Sequence, residues 1–438
     1  MSEELELALA PERLDEGTPE ERACFGLFTV RCGKSELVGG VDHYTNNYRA
    51  GPLVSGYHAA EWLAWNWWRL MWEPRTSSPD WWRSHNMISI GEGYAWPNLT
   101  IFSDGVRSVL LSKASVNADA MPFRYLGAPG AIAPRVTLEN AVDDYLARTI
   151  ARLRETGIAD SNLHSVWKDV LAERANPDTA RRRKLEALLG RDPDAESDAD
   201  LEKLVADASA LGESAVEELA AENGQAHRIY TSEALEALAG HLGQDTRPRD
   251  AVRLRDAADL KISPDVPAWV LGSRAARRLR AQEGLGDGRI FDARLASMAG
   301  VSEQAISGSE KAEAAPISFS LDRSPNAGRV VFRSRWKTSR RFDAARLLGD
   351  RLIAGGQDFL RPATRAFTYR QKMQRAFAAE LLSPFEAVED FLRGDHSEEA
   401  REEAAAHFDV SERTILTLLV NHGRLERDEL ETEVAPAA

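Results

Sequence analysis

Hydrophobic and polar positions follow two rhythms along this 438-residue chain. In the first third the apolar runs are short and rich in aromatic and β-branched residues. Cys24-Phe-Gly-Leu-Phe-Thr-Val-Arg, Leu99-Thr-Ile-Phe and Val106-Arg-Ser-Val-Leu-Leu therefore predict strands. From Val136 to about Gly243 the period lengthens to that of a helix. Between Asn140 and Arg154, Val142, Tyr145, Leu146, Ile150 and Leu153 fall on one face, and 163–173, 180–189, 201–211 and 215–221 repeat the pattern. A third texture separates the strands: eight of the eleven tryptophans lie between Trp62 and Trp96. There Trp62, Trp65, Arg69 and Trp72 keep helical spacing, which predicts a tryptophan-lined helix.

Breaker residues divide these textures. Residues 1–22, rich in Glu, Pro and Ala, read as a disordered lead, 23–135 as a Trp-rich α+β module, and 136–262 as a helical middle region. Within the last, Gly190 to Asp200 is an acidic loop. Ser263-Pro-Asp-Val-Pro opens a final domain, 263–425, followed by a solvated tail, 426–438. The expected fold class is multidomain α+β. Length agrees, since 438 residues exceed what a single hydrophobic core usually serves.

Composition narrows the partners. The net charge of −14, from 69 acidic and 55 basic residues, disfavours a dedicated nucleic-acid binder, whose affinity comes largely from neutralising phosphates. No apolar stretch approaches the roughly twenty residues that span a bilayer, and the acidic start lacks the basic region of a secretory signal. A cytoplasmic protein without membrane contact is expected. Cys24 and Cys32, the only cysteines, have neither disulfide-framework nor metal-site spacing.

The C-terminal part carries the most specific phrases. Gly328-Arg-Val-Val-Phe-Arg-Ser-Arg-Trp runs into Ser339-Arg-Arg-Phe-Asp-Ala-Ala-Arg-Leu-Leu-Gly-Asp-Arg-Leu-Ile-Ala. Tyr369-Arg-Gln-Lys-Met-Gln-Arg-Ala-Phe-Ala-Ala-Glu-Leu-Leu-Ser-Pro follows, and then Ala404-Ala-Ala-His-Phe-Asp-Val-Ser-Glu-Arg. This order resembles the ImmA/IrrE family of bacterial metallopeptidases over roughly 267–425. The resemblance implies a zincin-like domain: a strand, a helix bearing His-Glu-x-x-His, and a later helix with a third ligand ahead of Phe-Ala-Ala-Glu-Leu-Leu. Two histidines at i and i+4 reach one zinc from one helix face, and the Glu between serves as base for the bound water. Here the resemblance places Arg346, Leu347 and Asp350 at those positions and Gln371 at the third ligand. Arginine cannot ligate zinc and leucine cannot take a proton, so no catalytic residue, metal or cofactor is expected. Arg346 and Asp350, one turn apart, are expected to form an ion pair instead. The plainer alternative is an amphipathic core helix turned inward on Phe342, Ala345, Leu348 and Leu352.

A basic run precedes that helix: Arg329, Arg333, Arg335, Lys337, Arg340 and Arg341. Such runs are usually solvated faces. On a strand, Arg333, Arg335 and Lys337 would project to one side, where they could receive an acidic peptide or a phosphate backbone. Trp62 and Trp65 mark a second candidate partner-binding face, although tryptophans more often fill cores. Two phrases are helix-turn-helix-like, Leu295 to Ile306 and Ala404 to Leu419. They offer Gln304, Arg413 and Asn421 and little basic charge, so a structural role is favoured over groove reading.

Other chemistry is weaker. Cys32-Gly-Lys-Ser ends like a phosphate-binding loop, but Phe28 stands where the first glycine is required. His58 and Glu61 could share a metal with His85. His43, Glu92 and Asp104 belong to the same polar set, whose plainer role is to pair with buried indoles. The expected function is a non-catalytic regulatory protein that binds a protein partner, in the stress, mobile-element or phage-related settings the resemblance implies. A DNA-binding regulator and an unconventional metal-dependent hydrolase are the alternatives.

Overall fold

The computed structural model describes residues 4–116, 121–194, 199–226, 229–308, 313–354 and 358–426. The chain is mixed α+β and forms two compact units. One comprises Met1–Leu201 with Ala220–Arg228 and Ala366–Thr368, the other Glu202–Leu219, Ile229–Arg365 and Tyr369–Ala438.

In the first unit β1 (Leu5–Pro11) pairs antiparallel with β2 (Phe25–Cys32), in register from Leu5 opposite Cys32 to Pro11 opposite Gly26. The expected disordered lead is thus corrected. Leu5 and Leu7 alternate with polar neighbours and are buried, a period-two signal hidden in an acidic segment. A short helix, Pro19–Ala23, follows with a reciprocal Thr18–Glu21 cap. β2 also pairs with β3 (Leu53–Ser55). The tryptophan-rich stretch forms two helices, α1 (Gly56–Trp65) and α2 (Trp67–Trp72), broken at Asn66, whose amide donates to the Trp62 carbonyl at 2.9 Å. The break splits the expected stripe. Trp62, Trp67 and Trp68 are buried while Trp65 is 61% exposed. After α3 (Pro79–His85), β4 (Asn98–Ser103), β5 (Arg107–Lys113) and β6 (Ala131–Pro134) form a second antiparallel sheet in the order β6-β5-β4.

Helix α4 (Arg135–Glu155) buries the face read from the sequence: Val142, Tyr145, Leu146, Ile150 and Leu153. That face and Leu163, Trp167 and Val170 of α5 (Asn162–Ala175) join the same core as Phe28, Val30, Leu63 and Trp67. An amphipathic helix needs an apolar surface to cover, and the sheet and tryptophan helices supply it. The start of the expected helical middle region therefore belongs to the core of the first unit, and residue 135 is no boundary.

The second unit is built on an antiparallel sheet in the order β7 (Gln244–Thr246), β9 (Ala327–Val331), β8 (Ser318–Ser324), β10 (Leu360–Ala363). Its helices include α6 (Ala268–Glu283), α7 (Asp292–Ala299), α8 (Glu303–Ser307), α9 (Lys337–Ile353), α10 (Tyr369–Leu382), α11 (Glu398–Phe408) and α12 (Glu412–Asn421). Ala345 and Leu348 of α9 are buried as expected, together with Ala344, Leu347 and Ile353; Phe342 and Leu352 are only half-buried. Glycines allow α10 to approach closely on two sides. A Cβ on Gly272 of α6 would collide with the Met373 carbonyl and the Phe377 amide, and one on Gly349 of α9 with the Phe377 ring. Residues 427–438 of the expected tail lie outside the described residues. Among the described residues, no helix is long and apolar enough to cross a membrane.

Candidate functional site

Helices α9 and α10 face each other through side chains that are polar at core positions. Asp350, on α9, is 0% exposed. Its Oδ1 accepts from Arg370 Nε at 2.7 Å and Gln374 Nε2 at 2.9 Å, and its Oδ2 from Arg370 Nη2 at 2.6 Å. Burial alone would raise the Asp350 carboxyl, but the charge and bidentate hydrogen bonds of Arg370, with Gln374 and Arg361, outweigh it and hold the group below its ordinary range. Arg370 responds in kind: burial lowers its pKa, the Asp350 carboxylate raises it, and the net displacement is upward. Its Nη1 also donates to Ser214 Oγ at 2.8 Å.

One turn earlier, Arg346 Nη2 donates to Gln371 Oε1 and to the Thr364 carbonyl, both at 2.6 Å, and its Nη1 lies 3.4 Å from Asp343 Oδ1. Gln371 Oε1 also accepts from the Thr364 amide at 2.9 Å, while its Nε2 donates to the Pro362 carbonyl at 3.1 Å. Gln374 Nε2 reaches the same carbonyl at 3.1 Å. Strand β10 ends the sheet, and Pro362 and Thr364, at and just beyond its end, have their backbone groups occupied by side chains. The Asp343 carboxylate continues the network, accepting from Ser318 Oγ, which itself accepts from the Arg333 amide at 2.7 Å.

The expected Arg346–Asp350 ion pair is thus replaced. Each residue turns to a closer partner supplied by α10 or by α9 itself. The four positions singled out by sequence come together nonetheless: Arg346, Asp350 and Gln371 form the polar cluster, and Leu347 is buried beside them. A cavity between α9 and the sheet, lined by Leu347, Val330 and Phe332 among others, encloses about 20 Å³, room for roughly one water and not for a peptide. Buried, mutually bonded groups of this kind can fix two helices in register. Among the described residues no group of three or more His, Cys, Asp or Glu is placed to hold a metal.

Arg370, Gln374, Arg361 and Asp343 were missed by sequence reasoning. For Arg370 and Gln374 the signal was present, since they and Gln371 share α10 with the buried Met373, Phe377 and Ala378. Which acceptors they would find was not written there.

The basic run is sorted by the fold. Strand β9 stops at Val331, so the expected one-sided projection of Arg333, Arg335 and Lys337 from a strand does not occur. A turn in which Ser334 Oγ accepts from the Trp336 amide at 3.1 Å leads instead into α9. Nor is β9 an edge; it pairs with β7 and β8. Arg329 lies 3.3 Å from Asp245, and Lys337 binds Asp292 at 3.0 Å and Asp409 at 2.8 Å. Arg340 donates to the carbonyls of Ser334 and Ala305, and burial lowers its pKa. Arg341, 0% exposed, donates to Asp292 and to the carbonyls of Asp409 and Ile290. The solvated-face reading is corrected for these two arginines.

The helix-turn-helix-like phrases are fastened to the same point. Asp292 begins α7 and Asp409 ends α11, and both are bonded to the start of α9. Helix α8, where a groove-reading helix would lie, has five residues. On α12, Ile415, Leu416, Leu418 and Leu419 are buried, leaving Arg413 and Asn421 exposed.

In the first unit, His58 and Glu61, which could share a metal with His85, are not brought together with it. His85, fully buried, bonds Glu73 at 3.0 Å and the Ile101 carbonyl at 2.7 Å and stacks on Trp81. Glu73 in turn holds Arg69 at 2.6 Å. Burial would raise the Glu73 carboxyl, but His85 and Arg69 keep it below its ordinary range. His58 sits elsewhere, with Glu21 at 3.2 Å and Glu61 at 4.0 Å. Asp104 caps the turn before β5, while His43 and Glu92 are exposed. The indole of Trp62 donates to Ser89 Oγ at 3.1 Å, which leaves Trp65 as the exposed member of the pair proposed for partner binding. Compared with protein-family models, with curated proteins and with solved structures, the chain matches none.

Proposed function

We propose that the second unit is a peptidase scaffold of the ImmA/IrrE kind in which zinc chemistry has been replaced by a closed hydrogen-bonded core. On this reading the protein works by binding a protein partner in the cytoplasm, in stress, mobile-element or phage-related regulation. The observation that carries it is the 2.6 Å hydrogen bond from Arg346 to Gln371. In a zincin the first and third ligand positions converge on one ion from two helices; here the residues at those positions converge on each other. The i+4 position, Asp350, is held by Arg370 from the same opposing helix. Leucine at the base position and occupied backbone groups at the end of β10 remove the remaining needs of peptide hydrolysis.

The test restores the ligands. A variant carrying Arg346→His, Leu347→Glu, Asp350→His and Gln371→Glu, with Arg370→Met so that no buried guanidinium is stranded, is expected to take up one zinc per chain by elemental analysis. The unaltered protein is expected to bind none and to leave unfolded casein intact. A restored variant that keeps its circular dichroism spectrum yet binds no zinc would remove the scaffold reading. Zinc-dependent cleavage by the unaltered protein, abolished by Asp350→Ala, would remove the non-catalytic one.

A further inference from the structure

The sorting of the basic run leaves a residue of charge at one place. Of its six cations, Arg329 and Lys337 are paired with carboxylates and Arg340 and Arg341 are buried against carbonyls and Asp292. Arg333 and Arg335 remain. Among the described residues, neither guanidinium has a carboxylate within salt-bridge distance; the Arg333 contact is through its backbone amide, and Arg335 lies 4.9 Å over the Trp336 ring. Trp336 is 58% exposed. The residue after it, Lys337, is bonded to Asp292, the residue after Phe291, which is 69% exposed. Arg289 lies 5.7 Å over the Phe291 ring while binding Asp409 at 2.7 Å. Around the two carboxylates stand three cations, Arg289, Lys337 and Arg341, so the ground beneath the patch is itself positive by one charge.

Among the described residues, then, two guanidiniums without a carboxylate flank a short turn that carries the exposed Trp336 ring, in a chain whose net charge is −14. Large exposed aromatics and arginines together are what concentrate binding energy at protein interfaces. We propose that Arg333, Arg335, Trp336 and Phe291 form the docking surface for a short acidic segment of a partner protein. Its carboxylates would meet the two guanidiniums and an apolar side chain between them would cover Trp336. The proposal rests on the non-catalytic reading above, and names the class of partner.

Charge arithmetic favours a peptide over a nucleic acid. A nucleic-acid site draws its affinity from about six to ten neutralised phosphates, whereas this patch has two free cations on a strongly acidic molecule. A peptide needs only two well-placed carboxylates, with the aromatic contact supplying the rest. Exposed ion pairs alone are weak and screened by salt, so the aromatic rings must contribute for the site to hold anything.

The test uses the full chain and fluorescence anisotropy of a labelled peptide, Glu-Glu-Phe-Glu-Glu-Leu-Glu-Glu. An isosteric peptide with every Glu as Gln and an oligothymidylate of equal charge serve as comparisons. The acidic peptide is expected to bind at low salt and the other two to bind at least about tenfold more weakly. Arg333→Glu with Arg335→Glu is expected to cost about tenfold or more in affinity, and Trp336→Ala severalfold, with circular dichroism unchanged because these side chains stand outside the core. Equal binding of the Gln peptide, tighter binding of the oligonucleotide, or indifference to the double charge reversal overturns the proposal. Failure of the two readings is distinguishable. A protein that binds the peptide through this patch and also cleaves it with zinc keeps the docking surface and loses the non-catalytic reading. One that neither cleaves nor binds it loses only the docking surface.

Discussion

The Asp350–Arg370 pair shows how far a single buried charge constrains its neighbours. Both groups are removed from water, so each is tolerable only because the other is present. Asp350→Ala is expected to destabilise the second unit by about 3–5 kcal/mol, read as a lower urea midpoint, because it strands the Arg370 guanidinium. Adding Arg370→Leu should return much of the loss, since a pair of apolar residues carries no desolvation cost. The same groups set the acid limit. Asp350 and Glu73 have folded-state pKa values below their unfolded ones. Their contribution is therefore complete above the unfolded carboxylate range and is lost as pH falls through the depressed folded values. Stability measured by urea titration should hardly change from neutrality to about pH 5 and fall steeply below about pH 4. Sequence made the local i, i+4 relation of Arg346 and Asp350 legible, but not the competitor. Arg370 lies 20 residues further on, and only the docking of α10 against α9 brings it within reach.

At the scale of elements, periodicity was a reliable guide where a helix turned one face to a core. The five residues read from 140–154 are all buried on α4. It failed where a short polar contact ended an element. The Ser334–Trp336 turn stops the strand that charge spacing alone extended to Lys337, and Asn66 ends α1, so that Trp62 and Trp65 do not share a helix with Arg69 and Trp72. Glycine carries information that periodicity does not. Gly272 sits within α6, where alanine would ordinarily gain roughly 0.5–1 kcal/mol from helix propensity. Here Gly272→Ala is expected to destabilise by about 1–3 kcal/mol, because the new methyl meets backbone atoms of α10 rather than a yielding side chain. A thermal melt of the purified variant decides between the two signs.

For the molecule as a whole, the division into two units gives the tryptophans an uneven distribution. Nine of the eleven, from Trp62 to Trp167, lie in the first unit, and Trp269 and Trp336 lie in the second. Tryptophan fluorescence should therefore follow mainly the first unit during denaturation, while far-ultraviolet circular dichroism follows both. Asp350→Ala is expected to move the dichroism transition to lower urea and leave most of the fluorescence transition where it was. Coincident shifts in both signals would show that the units unfold as one. The mixed α+β class and the presence of more than one core were legible from length and texture. The division itself was not, because α4 and α5 are joined to the first unit by buried side chains rather than by any boundary signal in the chain.

The closed cluster between α9 and α10 also bears on history. On the proposed reading, an ancestor held a metal where Arg346 now grips Gln371, and the way back is barred one step at a time. Replacing Asp350 with histidine alone would take from Arg370 the carboxylate that balances its charge, and replacing Arg346 alone would take one donor from the Thr364 carbonyl and one from Gln371. Either of these first reversals lowers stability before any ligand set is complete, so selection would meet a loss at both. The lost chemistry is in that sense ratcheted, held out by interactions that the fold now depends on.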